Sequence, residues 1–424
     1  MGSYAGLYIK EKAVFYFKNE SYGYFVDYFK PDELLHLKGK DAVPYATNWY
    51  VEQLTDDDYD DVEVYAYRTT VAVLKDRMNV FGITTDLVNR VFEEVKAEKI
   101  AENIDFGLDS DFRDKYIKEN EYLENLTYKK WANDVKEWLA KNGVMRAFNP
   151  MSAMDDPFAI FRYEDDSVLL RMILDQLQPD DVIVLDLSDV YSGGWVTEKN
   201  PEILSATEEA YTKSTARPII ITEGVFDARA IEDALAVLKP HLHGYVAFLD
   251  FGQNNDGGAS AAVRLLKSLA AAGIENRVLA IFDNDTAAHE ELAGLDRSKL
   301  PKHFDIMFYP DLLLAENYPT LGPQGDVVMD VNGLACSIEM YLGSDALEDH
   351  GGNLRPVQWK NKMPRTGKYQ GEVDYKSDIQ KKYTKKVKEA KKHGIQPGQD
   401  WSGMERIIDA LIDKLSKLPF VKNW

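Results

Sequence analysis

The sequence contains a single cysteine, Cys336, among 424 residues. One thiol excludes an internal disulfide and a cysteine-rich zinc site, so any bound metal must be held by oxygen ligands or histidine. No apolar run approaches the roughly 18 residues of a membrane span, and Met1–Lys30 lacks the basic-then-apolar order of a signal peptide. We therefore expect a cytoplasmic protein that does not enter a membrane.

Positive charge is also scarce, since 50 Lys and Arg face 71 Asp and Glu for a formal net charge of −21. This balance argues against a protein that coats nucleic acid electrostatically. The net charge is distributed unevenly along the chain, because residues 351–424 carry about +9 and the preceding residues about −30. Some lysines of this C-terminal region are either phosphate contacts or a solvated helix face: Lys385, Lys386, Lys388, Lys391 and Lys392.

The first 150 residues have the pattern of an α+β module. Met1–Phe17 alternates and is rich in Tyr, Val and Phe, which predicts a β-hairpin. Between about Thr84 and Asn142 the apolar residues recur at helical spacing, which predicts a largely helical stretch. Residues 151–216, with a strand at Val182–Leu185, are interpreted as a connecting α/β segment.

From Pro218 the chain alternates apolar, β-branched strands with helices. The predicted strands are 218–221, 245–249, 278–282 and 306–309, and the predicted helices are 228–238, 259–271 and 286–293. Strands buried on both faces and joined by crossover helices indicate an α/β fold with a small, mostly parallel sheet flanked by helices. A last helix is predicted from the capping box Ser402 to Glu405 and the apolar stripe that follows it.

Acidic residues follow three of these strands: Glu223, Asp250, and the pair Asp283 and Asp285. Parallel order brings the carboxyl ends of the strands to one edge of the sheet, where chemistry gathers in such folds. Carboxylates that converge there repel each other, and a hard divalent cation is the usual reason for tolerating the arrangement. We therefore expect Mg²⁺, or Mn²⁺, at this edge.

The segment Glu223-Gly224-Val225-Phe226-Asp227, with Asp283-Asn284-Asp285 some sixty residues later, resembles the Toprim domain of topoisomerases, bacterial primases and overcoming-lysogenization-defect nucleases. The resemblance covers roughly residues 217–343. It implies that Glu223, Asp283 and Asp285 surround Mg²⁺, and that Gly224 lets the chain turn sharply beside the metal.

Three further acids are candidates at the same site. Asp227 is either a helix cap or a residue of the metal site. Asp250 is expected to be a ligand or a proton-transfer group, because its strand belongs to the same predicted sheet. Glu339 lies in a segment that resembles the late Leu/Ile-Glu segment of Toprim nucleases, where it would complete a second metal site.

The order of a hairpin, helices and then Toprim motifs is similar to proteins called HEPN/Toprim-associated, which implies a setting in bacterial anti-phage defence. On this interpretation residues 1–150 are the N-terminal module, 217–345 the Toprim catalytic domain, and 346–424 a basic, helical C-terminal region. A HEPN ribonuclease motif is not supported, since Pro301 interrupts the one Arg and His pair with suitable spacing, Arg297 and His303.

The favoured function is a Mg²⁺-dependent endonuclease that hydrolyses phosphodiester bonds in DNA or RNA, tRNA among them. Glu223 or Asp250 would shuttle the proton. Nucleic acid would approach the acidic body through the basic C-terminal region or through a protein partner or second copy of the chain. Two alternatives stay open: a topoisomerase-like strand-passage protein, and a non-catalytic sensor or assembly subunit, which the net charge of −21 favours.

Overall fold

The computed structural model describes residues 4–9, 12–18, 22–45, 60–107, 113–142, 154, 157–161, 166–194, 216–249, 257–323 and 325–419. They fall into two compact units, one up to Gly194 and one from Ala216 onward, with Val80–Gly82 grouped with the second. The α/β class is confirmed, because a parallel four-stranded sheet is flanked by helices and antiparallel strands lie N-terminal to it. Within these ranges no helix combines the length and the apolarity that crossing a membrane requires.

The first unit contains a five-stranded antiparallel sheet in the order β2-β1-β5-β4-β3. Its strands are β1 (Tyr4–Ile9), β2 (Lys12–Lys18), β3 (Leu34–Lys38), β4 (Glu63–Thr70) and β5 (Val182–Asp186). The predicted N-terminal hairpin is confirmed as the β1–β2 pair. The strand predicted at 182–185 is present as β5 and pairs with both β1 and β4, so the segment interpreted as a connection supplies the central strand of this sheet.

The helices of the first unit are α1 (Val71–Val80), α2 (Thr85–Gly107), α3 (Arg113–Glu124), α4 (Tyr128–Asn142), α5 (Asp166–Leu174) and α6 (Ser188–Ser192). The prediction of helices between Thr84 and Asn142 is therefore confirmed over its described residues. Trp131 of α4 packs against Phe92 of α2 and against Phe161: its ring centroid lies 5.9 Å from that of Phe92 and 5.3 Å from that of Phe161. Its indole N–H donates to the carbonyl of Pro157 at 2.6 Å, so the buried polar atom is satisfied.

Two buried arginines in the first unit are neutralised by neighbouring groups. Arg77 is fully buried and donates to the carboxylate of Glu33 through both terminal nitrogens. Arg171 donates to Asp175 at 2.9 Å and to the carbonyl of Ile83 at 2.6 Å. Such pairing is what allows a charge to stay inside a folded unit.

The second unit is built on the predicted parallel sheet. Its strands are β6 (Ile219–Ile221), β7 (Ala247–Phe248), β8 (Val278–Phe282) and β10 (Phe304–Phe308), in the order β10-β8-β6-β7. The helices that follow β6, β7 and β8 are α7 (Val225–Leu238), α8 (Ala259–Ala271) and α9 (Thr286–Leu292). Every residue of β8 is buried, because helices cover both faces of a parallel sheet.

The rest of the second unit adds two further sheets, of two and four strands, and three helices. One sheet pairs β9 (Asn284–Asp285) with β13 (Ala335–Cys336), and the other has the order β12-β11-β14-β15. Its strands are β11 (Tyr318–Gly322), β12 (Gly325–Met329), β14 (Val357–Lys362) and β15 (Tyr369–Val373), and the helices are α10 (Ser344–Leu347), α11 (Lys376–His393) and α12 (Ser402–Lys417).

Helices α11 and α12 both pack on α7. The hydroxyl of Tyr383 donates to the carbonyl of Ala230 at 2.8 Å, and α12 buries Ile407, Ile408, Leu411 and Leu415 of its predicted stripe. The predicted capping box is wrong: Ser402 is already helical, and the carboxylate of Asp400 accepts both its backbone N–H and its hydroxyl. An aspartate two residues earlier thus satisfies the start of the helix.

Candidate metal centre

Glu223 and Asp283 meet because β6 and β8 run in parallel register. Ile219 lies opposite Val278, and Ile221 lies opposite Ala280, so both strands end at the same edge. The backbone N–H of Asp283 donates to Oε1 of Glu223 at 2.9 Å. The two predicted residues are thus neighbours, as parallel order requires.

The backbone at Gly257 lies tightly against Glu223. The N–H of Gly258 donates to the Glu223 carbonyl at 2.8 Å, and a Cβ added to Gly257 would stand 3.0 Å from that same oxygen. A side chain at residue 257 would therefore require the Glu223 carbonyl or the start of α8 to shift by a few tenths of an ångström. This close approach favours glycine at this position.

Asp283 carries an unsatisfied buried oxygen. Its Oδ1 atom is buried and has no hydrogen-bond partner among the described residues. Burial, followed by the negative charges of Asp227, Glu223 and Asp285, raises the pKa of Asp283 well above its usual range. A buried carboxylate oxygen without a donor is costly in a purely structural role, so this atom suits a cation ligand.

Asp227 and Glu223 both have a pKa above the usual value of a carboxyl group. Asp227 lies in the first turn of α7, where its Oδ2 accepts the N–H of Gly224 at 3.1 Å. Burial and the charge of Glu339 raise the pKa of Asp227 to about 7. Burial also raises the pKa of Glu223 to about 8, with the charges of Asp285 and Asp227 contributing. Asp227 therefore acts as a helix cap that also contributes charge to the cluster.

Asp285 is held by protein donors on both oxygens. Its Oδ1 accepts the N–H of Ala288 at 2.8 Å, as the N-cap of α9, and its Oδ2 accepts from Nε2 of Gln370 at 2.6 Å. Burial raises the pKa of Asp285 despite these bonds. A metal bound by Asp285 would have to share an oxygen with a donor or displace Gln370.

Glu339 is buried and faces a lysine. Its carboxylate accepts from the hydroxyl of Ser337 at 2.6 Å and from Nε2 of Gln380 at 2.8 Å. The ammonium of Lys376 lies 3.6 Å from Glu339 and 3.1 Å from Glu372. Burial lowers the pKa of Lys376, but the charges of Glu339, Glu372 and Asp283 outweigh that effect, so this pKa lies above its usual value.

The carboxylates form an electrostatic cluster around Asp283, because the charges of four other acids raise its pKa: Asp227, Glu223, Asp285 and Glu339. In the described part of the chain, however, no group of three or more His, Cys, Asp or Glu side chains is arranged so that it could hold a metal ion. Most of these oxygens are instead directed to protein donors. The donor set suits a hard divalent cation in its chemistry, and binding would require some side chains to turn.

The lysines of α11 that were predicted to contact phosphates include one buried side chain and several exposed ones. Lys386 is buried and donates to Oδ1 of Asp345 at 2.8 Å and to the carbonyl of Asp400 at 2.7 Å, so its prediction as a phosphate contact is wrong. Lys391 is paired with Asp233 at 2.6 Å. Lys385, Lys388 and Lys392 are exposed, as that prediction requires.

The helical periodicity of α11 could have shown from the sequence alone that Lys386 is buried. The buried apolar residues of α11 are Ile379, Tyr383, Val387 and Ala390, and Lys386 falls within their stripe. Lys376, Gln370 and Gln380 were missed as partners of the carboxylates because no local motif marks them. The candidate Asp250 lies outside the described residues.

Comparison with models of known protein families produced a match. The model of the family described as HEPN/Toprim N-terminal domain 1 matches residues 1–214. Neither the search of curated proteins nor the search of solved structures found a match. The matched residues include the first unit, whereas the carboxylate cluster follows them in the chain.

Proposed function

The chain belongs to the HEPN/Toprim N-terminal domain 1 family, and on that premise we propose that its second unit is a Toprim-type, Mg²⁺-dependent endonuclease. Residues 217–345 would supply the catalytic domain, and the substrate would be a phosphodiester bond in DNA or RNA. The defence setting that the sequence resemblance implies remains a prediction.

One observation carries the proposal: Oδ1 of Asp283 is buried without a donor, beside a carboxylate on the neighbouring strand end. Structural carboxylates inside proteins are normally paired with cations or donors. Here the charges of Asp227, Glu223 and Asp285 raise the pKa of Asp283 in addition to burial. An oxygen-seeking divalent cation would relieve both the missing contact and the repulsion.

Glu223, Asp283 and Asp285 would hold the ion, with Glu339 as a further ligand. When bound, Mg²⁺ would neutralise charge on the phosphate and acidify a water molecule. In the metal-free protein burial raises the pKa of Glu223 to about 8, and a bound cation would favour the ionised form in which Glu223 is a ligand. Asp227 would keep the start of α7 in place by accepting the N–H of Gly224.

A non-catalytic role is the second candidate, and Lys376 favours it. Its ammonium already lies within 3.6 Å of Glu339, and both oxygens of Asp285 are bonded to protein donors. In this alternative Lys376 would be a permanent counter-ion, and the second unit would be a sensor or an assembly subunit.

Metal binding and cleavage measured on the same variants distinguish the two candidates. We expect the wild type to bind Mn²⁺ in a calorimetric titration and to cleave DNA or tRNA with Mg²⁺ or Mn²⁺. Glu223→Gln and Asp283→Asn should each weaken Mn²⁺ binding by more than about 100-fold, the upper end of what loss of an outer partner costs. Both should abolish cleavage.

Exposed acids provide matched controls. Glu232→Gln on α7 and Asp409→Asn on α12 make the same chemical change at exposed positions and should behave as wild type. If the wild type neither binds Mn²⁺ nor cleaves either substrate, the nuclease proposal is wrong and the non-catalytic role remains. Ligated or relaxed products would instead indicate strand passage.

A further inference from the structure

An open groove of about 450 Å³ lies between α7 and α11. One wall is Phe226, and the other is a single face of α11 that carries Ser377, Lys381, Thr384 and Lys388. Residues three and four apart share one face of a helix, so these side chains form a continuous row. The volume falls within the range of pockets that hold a small organic ligand or one unit of a polymer.

Three lysines make the α11 wall of the groove cationic in a strongly acidic protein. Lys381, Lys385 and Lys388 all line the groove and are exposed. Lys381 and Lys388 form no ion pair within the described ranges, and Lys385 has only a 3.8 Å contact with Glu389 at the surface. Such surface pairs contribute little, so all three ammonium groups are available to an anion.

The spacing of these lysines suits a polymer with regularly placed phosphates. A helix rises 1.5 Å per residue, so Lys381 and Lys388 are about 10 Å apart along α11. Successive phosphates of one stacked strand are about 3.4 Å apart along the axis, so this distance covers about three nucleotides. A single small anion would leave part of the row without a partner.

The aromatic wall favours an unpaired strand. Phe226 is only half-buried, so part of its ring is open to the groove. An aromatic ring can stack on a base only when that base is accessible, as it is in single strands. Bases inside a duplex are already stacked on each other. Lysines along one wall and an aromatic ring on the other therefore suit a single strand better than a duplex.

The groove also borders the carboxylate cluster. Gln380 lines the groove and donates to Glu339 at 2.8 Å. Phe226 lies between Glu223 and Asp227 in the sequence, and Ser377 follows Lys376. A strand lying in the groove would thus bring a phosphodiester close to the cluster.

We propose that this groove binds a single-stranded nucleic-acid segment, with Lys381, Lys385 and Lys388 on its phosphates and Phe226 stacked on a base. The proposal rests on the proposed function for the identity of the polymer. It adds Lys381 and Phe226 to the residues that meet the substrate, and it assigns no phosphate contact to Lys386 or Lys391.

Binding without cleavage tests the groove separately from the catalytic site. The full chain in EDTA would be titrated against fluorescent 12-residue single-stranded DNA, the same sequence as RNA, and the matching duplex. We expect the double variant Lys381→Gln with Lys388→Gln to bind the single strands at least tenfold more weakly. The slope of log affinity against log salt should fall by about 1.4, since each lost phosphate contact on a single strand removes about 0.7.

Phe226→Leu keeps an apolar side chain and should weaken binding about tenfold, with little change in the salt slope, because it removes stacking and not charge. The control Lys267→Gln with Lys302→Gln removes the same charge from exposed positions that do not line the groove, and should bind within twofold of wild type. Thermal melting of each variant would verify that it is folded.

The proposal is overturned if the groove and control variants weaken equally, if the duplex binds more tightly than both single strands, or if the wild type binds none of the three. If single strands bind through the groove but the wild type cleaves nothing with Mg²⁺ or Mn²⁺, the nuclease proposal fails and the groove stands. If the wild type cleaves nucleic acid and the groove variants bind as tightly as the wild type, only the groove proposal fails.

Discussion

The buried arginines of the first unit and the carboxylate cluster of the second unit bury charge in opposite ways. In the first unit, buried Arg77 and Arg171 donate to Glu33 and Asp175. In the second unit, the buried charges beside the parallel sheet are mostly of one sign, and Oδ1 of Asp283 has no donor in the described ranges. Paired burial is what a fold needs for its own stability, whereas like-charged burial costs stability and indicates a ligand.

Sheet topology is the origin of this difference. Antiparallel neighbours send successive strand ends to opposite edges, so the five-stranded sheet of the first unit disperses the residues that follow its strands. Parallel neighbours bring every carboxyl end to one edge, which is where Glu223 and Asp283 meet. The same acids in an antiparallel sheet would not form a cluster.

The largest effect that would test this comparison is expected in the first unit. Arg77→Met should lower the free energy of unfolding by about 3 kcal/mol, because breaking a buried pair leaves Glu33 and the Tyr28 carbonyl without a donor they now use. Urea denaturation would measure this, with the exposed Arg90→Met as the control, expected within about 0.5 kcal/mol of wild type. An equal loss in both variants would contradict the paired-charge interpretation.

The second unit should respond to pH in the direction opposite to that of paired carboxylates. The pKa of Glu223 rises from its usual 4.5 to about 8, and that of Asp227 from 3.8 to about 7. The folded state therefore binds more protons than the unfolded state between about pH 4 and pH 8, and stability falls as the pH rises through this window.

Melting temperatures in EDTA at pH 5, 6.5 and 8 would check this dependence. Glu223→Gln removes one of the shifted groups, so its stability should fall less steeply with pH than that of the wild type. Curves that stay parallel across the three values would show that the charge of Glu223 does not strain the metal-free fold.

The smallest expected effect concerns Lys376. Lys376→Met keeps the length of the side chain and removes an ammonium that competes for Glu339 at 3.6 Å. Mn²⁺ affinity should rise about fivefold, since a neighbouring like charge no longer opposes the incoming cation. Calorimetric titration would measure the change, with Lys392→Met at the far end of α11 as the control. Unchanged or weaker affinity would favour Lys376 as a permanent part of the site.

The alternation of strands and helices in the second unit could be predicted from the sequence because each element has its own local residue pattern. Apolar, β-branched runs such as Val278–Phe282 appear as strands, and the helix at Ala259–Ala271 matches its prediction at both ends. The meeting of Glu223 with Asp283 then followed from parallel order alone. The metal assignment itself stays a prediction.

The remaining features depend on long-range pairing, which local patterns do not encode. Gln370 reaches Asp285 from 85 positions away, and Gln380 reaches Glu339 from 41 positions away. β5 joins the N-terminal sheet from beyond several helices. Such contacts are fixed by how elements pack on each other, and a residue pattern within a short window does not report them.

The hydrogen bonds of Gln370 and Gln380 have a practical consequence for anyone who wishes to excise or transplant the carboxylate cluster. A fragment cut at residue 345 would keep every acid of the cluster described here, yet lose the amides that orient Asp285 and Glu339 and the helices that cover α7. The smallest fragment that keeps the cluster intact therefore extends to the end of α12. A shorter fragment would contain the carboxylates but would lack the amides that orient them.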